Sequence, residues 1–151
     1  MESQTSATLL LVDDNTDLLN MLTLALKTLG NYAIERATDG VSGLEQAVNI
    51  RPDCIIIDIL MPGLDGYQLV RALRGDPETA DIPLVILTAV AQDKGQFSGF
   101  AAGVDQYLTK PASPHSLIAA IQQAMALNQE ERERRLRALA ESGMESTGEA
   151  E

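Results

Sequence analysis

The chain has 151 residues, 22 acidic and 11 basic, for a formal net charge of -11, with one cysteine, no tryptophan, two phenylalanines and three tyrosines. That length suits one domain able to bury about two thirds of its unfolded surface, and a lone Cys54 excludes an internal disulfide scaffold. The negative charge disfavours nonspecific attraction to nucleic acid or an anionic membrane, the few aromatics supply no stacking platform for single strands, and no apolar run reaches the about 18 residues of a membrane helix.

Residues 1–7 are polar and lack the basic-then-apolar shape of a secretion signal, so a flexible N-terminus and a cytoplasmic location are expected. Five short apolar runs follow, at Thr8–Asp13, Ala33–Ala37, Cys54–Asp58, Leu84–Thr88 and Val104–Thr109. The first, third and fourth are continuously apolar, as central parallel strands covered on both faces require. The second and fifth are mixed, as expected nearer a sheet edge. Cys54 opens the third run and is expected to pack as a small buried hydrophobe.

Between the runs lie segments with helical spacing. Leu18, Leu19, Leu22, Leu26 and Leu29 form a stripe that Gly30 would stop. Val41, Leu44 and Val48 form a second stripe. Leu69, Val70 and Leu73 form a third, ending near Gly75 and Pro77. Phe97, Phe100 and Ala101 suggest a short fourth helix. The final helix has Ser113 to cap it, Pro114 at its first position, and Leu117, Ile118, Ile121 and Met125 on its buried face. His115 falls in its first turn, where exposure is expected, and no neighbouring cysteine completes a zinc site.

Five strand–helix units predict an α/β fold: a doubly wound, five-stranded parallel sheet of expected order 2-1-3-4-5 with helices on both faces. Periodicity gives these layers but not the order itself. No glycine-rich turn follows the first strand, which weighs against a dinucleotide-binding arrangement. Beyond residue 127 the apolar face weakens into the EERERRLR run, so 128–142 read as an extended charged helix or linker. It would be either a solvated extension or the start of a dimerising coiled coil. Residues 143–151 are small, polar and acidic, and a flexible tail is expected.

Asp13 and Asp14 follow the first strand and Asp58 ends the third. In doubly wound folds the ligand site lies outside the carboxyl ends of the strands, so the three carboxylates should meet. Like charges resist joint burial, and a hard cation resolves the conflict. Mg2+ suits oxygen ligands: Asp58, Asp13 or Asp14, and the backbone carbonyl of Leu60 are the candidate metal ligands. The plainer alternative is an exposed acidic strand edge. Thr88 ends the fourth strand with a hydroxyl, and Lys110 follows the fifth with an ammonium. Pro111 restricts Lys110 to extended backbone and leaves a cis Lys110–Pro111 bond open.

The motifs LLLVDD, IIIDILMPGLDG, VILTA and YLTKP, in that order, resemble the receiver domain of bacterial two-component response regulators over 8–127. The resemblance implies a flavodoxin-like fold and a phosphoacceptor function. Asp58 would take a phosphoryl group from a sensor histidine kinase or a histidine phosphotransfer protein, with small donors such as acetyl phosphate also able to serve. Asp13 and Asp14 would form the acidic pair holding Mg2+, Thr88 would hydrogen-bond a phosphoryl oxygen, and Lys110 would pair with the phosphoryl group. Met61, Pro62 and Gly63 would shape the loop after the acceptor. Asp65 and Gly66 open the next helix, with Asp65 as an N-cap. Tyr107 stands at the family's aromatic switch position, against the alternative of a merely half-buried aromatic. Leu60 and Val90 flank the reactive position and are apolar, which implies slow self-dephosphorylation.

Two other functions fit parts of the pattern. A metal-dependent phosphatase with an aspartate nucleophile would carry a second acid two residues later, where this chain has Leu60. An interaction module independent of phosphorylation could keep the acidic cleft and bind through another face. The receiver reading makes this a switch rather than a dedicated turnover enzyme, signalling to an unknown downstream protein and open to homodimerisation. Direct nucleic-acid binding and membrane insertion are not expected, and no helix-turn-helix or basic recognition segment follows the motifs.

Overall fold

A computed structural model describes residues 7–59, 61, 63–89, 103–126, 134 and 137. Strands are β1 (Thr8–Val12), β2 (Ala33–Ala37), β3 (Cys54–Ile57), β4 (Leu84–Thr88) and β5 (Gln106–Thr109). Helices are α1 (Thr16–Gly30), α2 (Gly40–Ile50), α3 (Gly66–Gly75) and α4 (Pro114–Ala126). All strand pairs are parallel, and the sheet order is β2-β1-β3-β4-β5, as expected. The continuously apolar β3 and β4 are buried throughout and β1 nearly so, whereas the mixed β2 and β5 form the two edges.

Alternation along the central strands divides the core. Leu10, Val12, Ile55, Ile57 and Ile86 face α3 residues Leu69, Val70 and Leu73, together with Ala47 of α2. Leu9, Leu11, Ile56, Val85 and Leu87 face Leu19, Leu22 and Leu26 of α1 and Leu117, Ile121 and Ala124 of α4. Cys54 is a free, buried thiol in this second cluster.

Several boundaries differ from the sequence reading for local reasons. β1 and β3 end one residue early, leaving Asp13 and Asp58 just beyond the sheet, and β5 starts at Gln106 rather than Val104. Gly30 is the last residue of α1, and the left-handed cap is Asn31 at φ 58, whose amide donates to Leu26 and Lys27 carbonyls. Asparagine accepts that conformation almost as readily as glycine. Leu29, in this last turn, is exposed rather than part of the stripe. In α2 the buried positions are Gly40, Gly43 and Ala47, Leu44 and Val48 are half-buried, and Val41 is exposed. The helix approaches too closely for larger groups: a Cβ on Gly43 would lie 3.0 Å from Val12 Cγ2.

The final helix starts as expected, with Ser113 Oγ accepting from Ser116 N at 3.0 Å. Among the described residues, no helix is long and apolar enough to cross a membrane. The expected helix around Phe97–Ala101, most of 128–142, the 143–151 tail, residues 1–6, Leu60, Pro62 and Val90 lie outside the described residues.

Candidate functional site

Asp13, Asp58 and Lys110 sit one step past the ends of β1, β3 and β5, where the ladder still holds their backbones. Asp13 N donates to Ala37 O at 3.1 Å, Asp58 N to Val12 O at 3.0 Å, and Lys110 N to Thr88 O at 2.8 Å. The sheet therefore fixes all three Cα positions, and three chain segments distant in sequence converge at one corner.

The side chains are then oriented locally. Asp13 Oδ1 accepts from Asn15 N at 2.9 Å, and its Oδ2 accepts from Lys110 Nζ at 2.9 Å. Asn15 in turn caps α1, its Oδ1 accepting from Leu18 N at 3.1 Å. Lys110 Nζ also reaches Asp58 Oδ2 at 3.5 Å, a longer and weaker contact. The Lys110–Pro111 peptide is cis. Asp13 and Asp58 are buried, at 5% and 6% exposure, while Asp14 is open to solvent.

Ligand oxygens of Asp13, Asp14 and Asp58 all lie within 4.8 Å of one another. Magnesium binds oxygen at about 2.0–2.1 Å, which places ligands on opposite sides of the ion about 4.2 Å apart. The cluster thus fits a hard divalent cation after small adjustment or with water completing the shell. One ammonium against three carboxylates leaves the corner formally anionic.

Burial is the largest single influence on Lys110 and acts to lower its pKa. The hydrogen bond and charge of Asp13, and then those of Asp58, together outweigh it, so the ammonium is held above the ordinary lysine value. Lys110 is accordingly a fixed cation throughout the neutral range.

Thr88 ends β4 fully buried, beside the site in the ladder that pairs it with Thr109. Tyr107, opposite Ile86 on β5, is half-buried against the core on the α3 side. Burial first, and the nearby Tyr67 second, raise the pKa of its hydroxyl. Asp65 caps α3 as expected, in a reciprocal box: it accepts from Gln68 N at 2.9 Å, and Gln68 Oε1 accepts from Asp65 N at 3.0 Å. His115 is exposed. The expected carbonyl ligand at Leu60 lies outside the described residues.

The sequence reading missed one contributor, Asn15, and named another, Gly66, only as opening a helix. Asn15 orients Asp13 through its amide; an Asn just ahead of the first stripe is a readable cap signal. Gly66 lets α3 start directly against the Asp58 backbone. A Cβ there would lie 2.6 Å from Asp58 O and 2.5 Å from Ile59 Cα, and Gly66 N donates to Ile59 O at 3.0 Å. Nothing in the sequence distinguishes that glycine from one serving an ordinary turn.

Comparison with known proteins agrees with this corner. Residues 9–122 match the family model of the response regulator receiver domain. The DNA-binding dual master transcriptional regulator RpaA of Synechocystis is 36% identical over 113 residues, covering 75% of this chain and 46% of the relative. Protein PilH of Pseudomonas aeruginosa is 36% identical over 120 residues, covering 80% of this chain and 98% of the relative. The chain thus spans about half the length of relatives such as RpaA and the phosphate regulon regulator PhoB, at 46% and 48%.

Among solved structures, the Vibrio cholerae chemotaxis response regulator CheY4 superposes with a TM-score of 0.72 at 32% identity, covering 80% of this chain and 99% of its own. The receiver domain of a Pseudomonas aeruginosa sensor histidine kinase, with a magnesium ion in its active-site cleft, gives 0.73 at 29% identity and covers 82% of this chain and 100% of its own. The acidic corner with its Lys110 ion pairs matches a receiver phosphoacceptor site. This chain belongs to the response regulator receiver family.

Proposed function

We propose that Asp58 accepts a phosphoryl group from a phosphohistidine on a sensor kinase or phosphotransfer protein, and that the resulting aspartyl phosphate changes which protein the domain binds. The observation that carries this reading is Lys110 Nζ lying 2.9 Å from Asp13 and 3.5 Å from Asp58, within one cluster with Asp14.

In the transfer step a carboxylate oxygen of Asp58 attacks phosphorus. The phosphorus–nitrogen bond to the donor imidazole breaks, its electron pair leaves with the nitrogen, and an acyl phosphate forms. The buried, ladder-held backbone aims the acceptor, so little reorganisation accompanies the attack. Lys110 leaves its weaker contact with Asp58 and pairs with the incoming oxygens, which supplies fixed positive charge where negative charge develops. Thr88 donates its hydroxyl to a phosphoryl oxygen, and Ala89 adds only a methyl group at the exposed rim. Asp13 and Asp14, with Asp58, would hold Mg2+. When bound, that ion offsets carboxylate repulsion and stabilises charge on the phosphoryl oxygens.

The product adds about 1.5–2 negative charges at neutral pH. Thr88 moves toward the new oxygens, space opens beneath β4, and the Tyr107 ring turns inward, reshaping the β5 and α4 face. Water attacking the same phosphorus resets the switch, slowly because Leu60 and Val90 offer no side-chain hydrogen bond to orient it. A cytoplasmic location, where phosphohistidine donors operate, accompanies this reading.

The test is incubation with acetyl phosphate and Mg2+ followed by intact-mass measurement. One phosphoryl addition is expected for the wild type and none for D58A. Equal modification of both proteins would remove Asp58 as the acceptor.

A further inference from the structure

Besides its contact with Lys110, Asp58 touches a helix whose first turn reaches the core cluster against which Tyr107 packs. The helix after the acceptor begins in contact with it: Gly66 abuts the Asp58 carbonyl and donates to Ile59 O. The reciprocal Asp65–Gln68 box then stiffens this first turn. Tyr67 is the next residue after Gly66. Its half-buried ring packs on the same core cluster as Tyr107, the cluster that also holds Ile59, Met61, Ile86 and Val104. The two phenols are near enough that a charge on Tyr67 would disfavour one on Tyr107.

We propose that Tyr67 is a positioning residue for Tyr107: packed on the same core cluster, it ties the orientation of the β5 ring to the Asp58 backbone through the first turn of α3. This rests on Asp58 being the acceptor. A close-packed core transmits displacement in discrete rearrangements rather than absorbing it. A shift of the acceptor loop therefore moves Tyr67 with the rigid first turn, and the space open to Tyr107 changes with it. Thr88 and Tyr67 would bound that space from the strand side and the helix side.

The experiment uses the full chain labelled with 3-fluorotyrosine, which carries three tyrosines, Tyr32, Tyr67 and Tyr107. Fluorine NMR resonances are assigned with Y32F, Y67F and Y107F, and Asp58 modification by acetyl phosphate with Mg2+ is read by intact mass in the same samples. In Y67L the mass increase should persist, while the phosphorylation-induced displacement of the Tyr107 resonance shrinks at least about twofold. A Tyr107 displacement equal to wild type in fully modified Y67L overturns the proposal alone. Absence of the mass increase in the wild type overturns the acceptor reading and the proposal with it. Should Y67L not fold, Y67F replaces it: the Tyr107 resonance must then differ from wild type before modification and respond differently after it. An unchanged signal in both states overturns the pairing.

Discussion

Each end of the sheet buries an ionic cluster. Before β4 and β5, Arg74 lies inside a cage of acceptors: its Nε donates to Gly103 O at 2.8 Å, Nη1 to Ala80 O and Ile82 O at 2.8 Å each, and Nη2 to Asp105 Oδ2 at 3.3 Å. Asp105 also accepts from Leu84 N at 2.8 Å, and the pair's side chains are 9% and 3% exposed. Past the other ends of the strands, Asp13 and Asp58 share one ammonium, and Asp14 beside them opens the corner to solvent. The first cluster is balanced in charge, dense in hydrogen bonds and closed. The second is left anionic and open, with its cation held more tightly by Asp13 than by Asp58. Burial of charge alone therefore does not mark function here. The mark is charge left uncompensated at a place a ligand can reach.

The largest expected effect falls on the balanced cluster. R74M would leave Asp105 buried without its cation and three carbonyls without a donor. Breaking one side of a buried pair destabilises by about 3–5 kcal/mol. Urea unfolding should register that loss, while acetyl phosphate still modifies Asp58 in the folded fraction. A loss below about 1 kcal/mol, the scale of an exposed pair, would remove the contrast between the two ends.

K110A acts on the other end and in the other currency. Removing one fixed electrostatic group from a site of developing negative charge lowers the rate by about 100- to 1,000-fold. Stopped-time mass measurement of Asp58 modification should show that loss, with a much smaller change in the unfolding midpoint. A rate within a few-fold of wild type would show that Lys110 holds Asp13 in place without assisting transfer.

The sharpest comparison applies one substitution at both ends. D105N weakens the Arg74 pair and should destabilise. D58N removes one of three clustered like charges and weakens the 3.5 Å contact with Lys110. In metal-free buffer it should hold or raise stability, because repulsion among the carboxylates falls. Added Mg2+ should then raise the melting temperature of wild type and D105N but not of D58N. Stabilisation of D58N equal to wild type would place the ion elsewhere.

This asymmetry also explains what was legible in the sequence. The layers followed from continuous apolar runs in β1, β3 and β4, and the edges from the mixed β2 and β5, because parallel strands covered on both faces tolerate little else. Asp13, Asp14, Asp58, Thr88 and Lys110 could be placed because each ends an apolar run or directly follows one, and strand ends are where such folds bind ligands. Arg74 could not. It follows the Leu69–Val70–Leu73 stripe like any arginine near a helix end, and only the fold brings Gly103 and Asp105 around it. The buried stripe of α2 was misread for a related reason. Periodicity weighs large apolar residues, so Val41 stood out, whereas close approach selects Gly43 against Val12 of β1 and Gly40 against Leu64 in the loop before α3.

The smallest effect separates the clusters by pH. The pKa of Lys110 is raised in the folded state because Asp13 and Asp58 together outweigh burial. The stabilisation it contributes is fully present below the unfolded lysine value, about 10.4, and is lost as pH rises through the higher folded value. Arginine stays protonated across that range, so the Arg74–Asp105 pair keeps its contribution. Unfolding midpoints measured from pH 8 to 11 should therefore converge for wild type and K110M at the alkaline end, after differing by a constant amount in the neutral range. R74M should instead stay separated from wild type throughout. Because Lys110 is 21% exposed, solvent screens part of its interaction, and the convergence will be small beside the effect of R74M. Parallel curves for wild type and K110M up to pH 11 would mean that the ammonium gains nothing from its two carboxylates.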